Sequence, residues 1–317
     1  MGSPPASESF GAAPEPLEGT SRAALRRARR GARRAPRRAA IGRRSFLTAE
    51  RTLEELAEAG AQVSVHVVDL DSGRQVLVGD DYLSLPVAGL GIVPLLVEVA
   101  AAMEAGRLDR FGIVDRPDAE LVSGAGLWRS LRVPALPYID AAVLAAAAGD
   151  PNAANLLLDA VGHDQLRART VALGMPRSAL LDHFRDRRGL DDAPHVAVGT
   201  TREFATLFSA LVNSAVIDPA VSAQVSEWLS LNQDLSLTAS STGLDPFSHD
   251  YDDHGLLFIN KTGRGRGVRA EAGVLAGPRA GIAYAMTVCF DDLSIMHRLR
   301  VHDAFRVLGV DLMEYVY

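Results

Sequence analysis

Of the 33 cationic side chains in this 317-residue chain, 32 are arginine, and the one lysine, Lys261, stands in Asn260-Lys-Thr-Gly263. An ammonium beside a hydroxyl holds a carboxylate through charge-assisted hydrogen bonds. Lys261 and Thr262 therefore carry the two donor types that such a ligand takes. A second polar cluster is His249-Asp-Tyr-Asp-Asp-His254, in which His249, Asp252, Asp253 and His254 are the donor types a divalent ion takes. Their spacing matches no metal signature, so a solvated acidic loop is the expected reading. No metal or other cofactor is expected. Gly263-Arg-Gly-Arg-Gly267 lacks the helix and lysine order of a phosphate loop and reads as a turn between strands. The single cysteine, Cys289, lies in an apolar run, which excludes a disulfide within the chain and points to a buried thiol. Ser84 and Ser123 have no lysine near them in sequence, and no G-x-S-x-G elbow anchors a Ser-His-Asp arrangement.

The elements that must position these groups follow from periodicity. Leu53, Leu56 and Ala57 predict a surface helix over residues 48–60. Alternation from Val63 to Leu70, a turn at Asp71-Ser-Gly-Arg74 and an extended Gln75–Val78 predict a hairpin, with His66 on one strand face. Leu95, Leu96, Val99 and Met103 form one stripe of a helix over 92–106, with Gly106 as its C-terminal cap. Further helices fit 141–161, broken at Asp150-Pro151, then 165–173 and 200–213. Strand character returns at 255–260, 267–275 and 281–290, before a closing helix at 293–308 capped by Gly309. A hairpin, a helical middle, three strands and a last helix imply an α+β layout in which terminal helices flank one antiparallel sheet.

Composition divides the chain. Residues 1–51 hold twelve Arg against four Glu, leaving 21 cationic against 35 acidic residues for the rest. Residues 1–44 are rich in Pro, Ala, Gly and Arg with few large apolar side chains, so they are expected to form a disordered tail, and 45–317 the folded domain. Attraction to nucleic acid is conceivable only through that tail. Ile41-Gly-Arg-Arg-Ser-Phe-Leu47 has the look of a twin-arginine export signal, but a charged helix follows where an apolar stretch is needed. No run of eighteen apolar residues occurs, so neither a membrane span nor an exported form is expected, and a cytoplasmic location is favoured.

The order of hairpin, Leu85-Pro-Val-Ala-Gly-Leu-Gly-Ile92, Gly149-Asp-Pro-Asn-Ala-Ala-Asn155 and Asn260-Lys-Thr-Gly263 resembles the class A β-lactamases over about residues 48–312. The resemblance implies a β-lactamase/transpeptidase-like fold: a five-stranded antiparallel sheet from 61–80 and 255–290, terminal helices, and a helical lobe over about 89–215. It also implies three active-site motifs, S-x-x-K, S-D-N and K-T-G. At the first, Gly89 stands at the nucleophile position and Ile92 at the lysine position. With one lysine in the chain, and Phe258 three residues before it, no S-x-x-K exists anywhere. At the second, Gly149-Asp150-Pro151 keeps only Asp150, which joins Lys261, Thr262 and Gly263 as a ligand-binding candidate. The family's loop glutamate is matched by Arg185, with Asp186 one residue away. K-T-G alone is intact.

Loss of a nucleophile or its base from such a unit costs about a millionfold in turnover. The expectation is a non-hydrolytic protein that binds a small carboxylate, a peptide or a partner chain in the old cleft. The alternative is an active serine-type amide hydrolase or acyl transferase with relocated groups.

Overall fold

Alternation along the third of three late strands sorts its side chains onto two layers. Ile282, Tyr284, Met286 and Val288 join one buried apolar cluster, and Ala283 and Ala285 between them join another. The computed structural model describes residues 46–116, 121–123, 126–249 and 255–317. The arginine-rich segment lies outside these residues, as do Asp252, Asp253 and His254 of the acidic cluster. The main sheet is built from β1 (Gln62–Asp69), β2 (Gln75–Gly79), β8 (Leu257–Gly265), β9 (Val268–Ala276) and β10 (Gly281–Cys289), in the order β2-β1-β10-β9-β8. All its pairings are antiparallel, which leaves β8 at an edge. Short strands β3 (Leu85–Pro86), β6 (Ala179–Leu180) and β7 (Ala197–Gly199) form a second sheet, and β4 (Ile113–Asp115) pairs with β5 (Ala135–Pro137).

On one face of the main sheet, α1 (Leu47–Glu58) and the last helix, α8 (Ile295–Val316), cover Val65, Val67, Tyr284 and Met286. On the other face lies the helical lobe: α2 (Ile92–Glu104), α3 (Tyr138–Ala147), α4 (Pro151–Val161), α5 (His163–Ala172), α6 (Thr201–Val212) and α7 (Pro219–Ser230). Small side chains at Ala270, Ala272, Ala283 and Ala285 let this lobe approach closely. Residues 92–103 of α2 are all buried, as expected of a helix that is apolar all round. Its one buried acid, Glu98, is paired with Arg107 at 2.8 Å and Arg169 at 2.7 Å. No helix among the described residues is long and apolar enough to cross a membrane.

The α+β layout expected from the element order is the one found, with differences that have local causes. The closing helix does not stop at Gly309 but runs to Val316. Gly309 is an interior helix residue, because a Cβ there would overlap Ser241 Oγ and the Thr238 carbonyl. α7 is absent from the periodicity reading, although Asp218 caps it and Pro219 opens it, a start signal legible in sequence. β8 continues through Lys261 to Gly265, so the turn to β9 is shorter than the glycine-rich run suggests. Cys289 is part-buried at the end of β10 rather than in the core, and burial pushes its thiol up to about 11.

Candidate active-site cleft

Where β8 meets the lobe, a cleft of about 610 Å³ opens. Its walls are Thr262 and Arg264–Arg266 on the sheet side, Ala88 and Gly89 at the mouth of α2, Ala148, Gly149 and Pro151 between α3 and α4, and the loop residues 184–186, 188 and 194–197. The floor is set by backbone against backbone. A Cβ on Gly263 would overlap the Val87 carbonyl, so only glycine lets β8 reach the single 3₁₀ turn Ala88–Gly91 ahead of α2. Ala88 in that turn holds a left-handed φ of 47°, a conformation costing about 1–3 kcal/mol that persists only where packing fixes it.

Gly89 faces the cleft from this turn, and a Cβ there would stand 3.2 Å from the Thr262 carbonyl. It offers no nucleophile. Ile92, three residues on, is buried in the core of the lobe and offers no base. Gly149 lines the cleft with a φ of 62°, and Pro151 is the first residue of α4. Asp150 lies between them but is fully buried and outside the cleft wall. Its carboxylate accepts the N–H groups of Asn152 (2.9 Å) and Ala153 (3.0 Å) as an N-cap, and those of Leu127 (2.7 Å) and Trp128 (2.8 Å) from the preceding loop. Asp150, expected from the sequence to bind ligand, fastens two pieces of backbone together here.

Lys261 is buried, and its Nζ donates to the carbonyls of Ala145 (3.0 Å) and Ala146 (2.7 Å) at the end of α3. The ammonium thereby satisfies orphan carbonyls at a helix C-terminus and ties the sheet edge to the lobe. Burial pushes it down to about 8, with Asp234 opposing. Thr262 does face the cleft, but its hydroxyl donates to Asp234 Oδ2 at 2.6 Å. Arg264 grips the same carboxylate with Nε and a terminal nitrogen, both at 2.7 Å. Burial raises the Asp234 carboxyl, but the hydrogen bonds from Thr262, Ser236 and Arg264 outweigh it and hold the group below the usual carboxylate range.

On the loop side, Arg185 lies near Asp182 (3.4 Å) and Asp192 (3.6 Å), and Arg188 pairs with Asp182 at 2.8 Å. Asn155 pins this loop by exchanging hydrogen bonds with the Phe184 backbone at 2.9 and 2.7 Å. Asp186 lines the cleft and accepts the Ser123 N–H at 2.8 Å. Ser84 is not in the wall, and its hydroxyl donates to the Arg177 carbonyl at 2.9 Å. His249 is buried, with Nδ1 3.1 Å from the Asp245 carbonyl. Among the described residues, no group of three or more His, Cys, Asp and Glu side chains is placed to hold a metal ion.

Asp234, Asn232, His195 and Arg266 also line the cleft and were not singled out from the sequence. The alternation of Thr262 and Arg264 on one face of a strand is a signal that an anion is held there. Nothing local to Asn232-Gln-Asp234 identifies that anion as Asp234, 28 residues upstream of Thr262.

The model of the beta-lactamase enzyme family matches residues 48–316. Among solved structures, the chain is similar to a beta-lactamase from Sphaerobacter thermophilus (TM-score 0.75, 20% identity, covering 86% of this chain and 97% of that one). It is also similar to a beta lactamase from Xanthomonas campestris (TM-score 0.71, 16% identity, 86% and 98% covered). A third is an L158E mutant of PBP-A, solved as an acyl-enzyme complex with penicillin G (TM-score 0.68, 17% identity, 84% and 96% covered). A search of curated proteins gives no match. At these identities the structural likeness speaks for the fold, which is β-lactamase/transpeptidase-like, and the sequence model speaks for descent: the chain belongs to the beta-lactamase enzyme family.

Proposed function

We propose that this protein is a non-hydrolytic member of its family that binds an extended, peptide-like ligand along the edge of β8. One observation carries the reading: a cleft bordered by β8, whose outer edge no strand pairs among the described residues, has glycine at the nucleophile position, and the only lysine of the chain is spent on helix carbonyls. Covalent amide hydrolysis needs an activated nucleophile within reach of a base. Ser84, turned to the Arg177 carbonyl outside the cleft wall, and Ser123, with its N–H on Asp186, supply no such pair and so support the non-covalent reading over a relocated serine. A free strand edge recognises extended backbone through main-chain hydrogen bonds, with the walls adding selectivity. The cleft wall carries Lys261, Arg185, Arg188, Arg264 and Arg266 against Asp186 and Asp234, which favours a carbonyl-rich partner.

The test combines two readouts on the purified protein. Turnover of a chromogenic cephalosporin is expected to stay at the buffer rate. Backbone amide signals of residues 262–266 are expected to move, saturably, on titration with short neutral peptides such as acetyl-alanyl-alanine amide. Enzymatic turnover of the cephalosporin, or no response of this edge to any peptide in a panel, would refute the reading.

A further inference from the structure

Thr262 and Arg264 stand two residues apart on β8 and so project to the same side of the edge strand. A hydroxyl beside a guanidinium fork is a donor set made for a carboxylate. That place is already taken. Asp234 Oδ2 accepts from Thr262 Oγ1 at 2.6 Å and Arg264 Nε at 2.7 Å, and Oδ1 accepts from an Arg264 terminal nitrogen and from Ser236 Oγ, each at 2.7 Å. Ser236 Oγ also touches the Arg264 guanidinium, closing the ring of donors. The arrangement is on the cleft wall rather than beneath it, with the Asp234 side chain 28% exposed and that of Arg264 44% exposed.

A carboxylate arriving from solution has to displace one that is tethered. A group held on the same chain acts at an effective concentration of about millimolar or more, so a free acid with equal contacts competes poorly below that range. It also meets like charge at the point where it would bind. A neutral segment meets neither obstacle.

On the reading that the cleft holds a peptide-like ligand, we infer that Asp234 is a built-in carboxylate that fills the anion subsite made by Thr262 and Arg264. Asp234 is thereby a specificity-determining residue. The cleft accepts an uncharged peptide segment lying along β8 and excludes a chain whose free carboxylate would end at Thr262.

The test is an acetate titration of the full chain and of Asp234→Ala, followed by melting temperature and by the Arg264 Nε–H NMR signal, with sodium chloride at equal ionic strength as control. The variant is expected to melt lower than the wild type and to recover saturably with millimolar acetate. Over the same range its Arg264 signal moves while that of the wild type stays still. An equal acetate response in both proteins, or no acetate-specific recovery in the variant, overturns the inference. Should Asp234→Ala fail to fold, Asp234→Asn keeps the volume. Its affinity for acetyl-alanyl-alanine relative to the carboxamide is then expected to exceed that of the wild type at least tenfold, and an unchanged ratio overturns it. A penicillin adduct on the wild type would instead remove the non-hydrolytic reading, and would leave this comparison of the two proteins standing.

Discussion

Four backbone N–H groups converge on the Asp150 carboxylate, two from the first turn of α4 and two from the loop at Leu127 and Trp128. A helix cap is worth about 1 kcal/mol, and a buried donor left unpaired costs about 1–3 kcal/mol. Asp150→Ala is therefore expected to lower unfolding stability by about 3 kcal/mol or more in urea denaturation, with Asp150→Asn less damaging. Losses of a few tenths would contradict the fastening role. Asp-Pro opening a helix was legible in sequence. The two donors from more than twenty residues upstream were not, and the sequence offered Asp150 as a ligand contact only through the surviving position of the S-D-N motif. Glu271 makes a second prediction at this scale. Burial pushes its carboxyl up to about 7, against hydrogen bonds from Asn260, Tyr284 and Thr238. Its folded pKa lies above its unfolded one of roughly 4.3, so the folded state binds the proton more tightly. Its contribution is full below about pH 4 and is lost as pH rises to about 7, a fall of about 4 kcal/mol at roughly 1.4 kcal/mol per pKa unit. Denaturation at pH 5 and pH 8 is expected to show most of this fall, about 2 to 3 kcal/mol, in the wild type and not in Glu271→Gln, whatever that change does to the baseline.

Among the elements, α8 and β8 both depend on a missing Cβ. Gly309 lies inside α8 where a side chain would overlap Ser241 Oγ and the Thr238 carbonyl. Replacing a helix-interior glycine with alanine gains about 1 kcal/mol of propensity, but overpacking costs about 1–3 kcal/mol. Gly309→Ala is expected to be a net loss of at least about 1 kcal/mol, read as a lower melting temperature. A stabilised variant would show that α8 can move away from the 3₁₀ turn Thr238–Ser241. Gly263 is held more tightly, because its neighbour is the Val87 carbonyl, which is backbone. Periodicity located both elements yet misread Gly309 as a cap, and it gave no sign of the contact that Gly263 makes. Close approach to a distant turn leaves no trace in spacing along the chain. The same limit explains α3 and α4, whose break at Asp150-Pro151 was plain, while the Lys261 ammonium lodged against the end of α3 was not. A lone lysine in K-T-G reads equally well as a ligand contact or as a tie between lobes.

At the scale of the whole molecule, sheet and lobe meet as the element order implied, and the cleft opens where β8 meets the lobe. Gly89→Ser alone is expected to leave cephalosporin turnover at background, because the buried Ile92 gives the new hydroxyl no base and the Thr262 carbonyl crowds its Cβ at 3.2 Å. A rise of a hundredfold or more would mean that another group already serves as base. What decides the central claim is whether the wild-type chain forms a covalent bond with a β-lactam at all. Intact-protein mass spectrometry after prolonged incubation with millimolar benzylpenicillin measures this directly. The mass is expected to stay that of the unmodified chain, whereas a saturating adduct of one penicillin, mapped to any one side chain, would contradict the account.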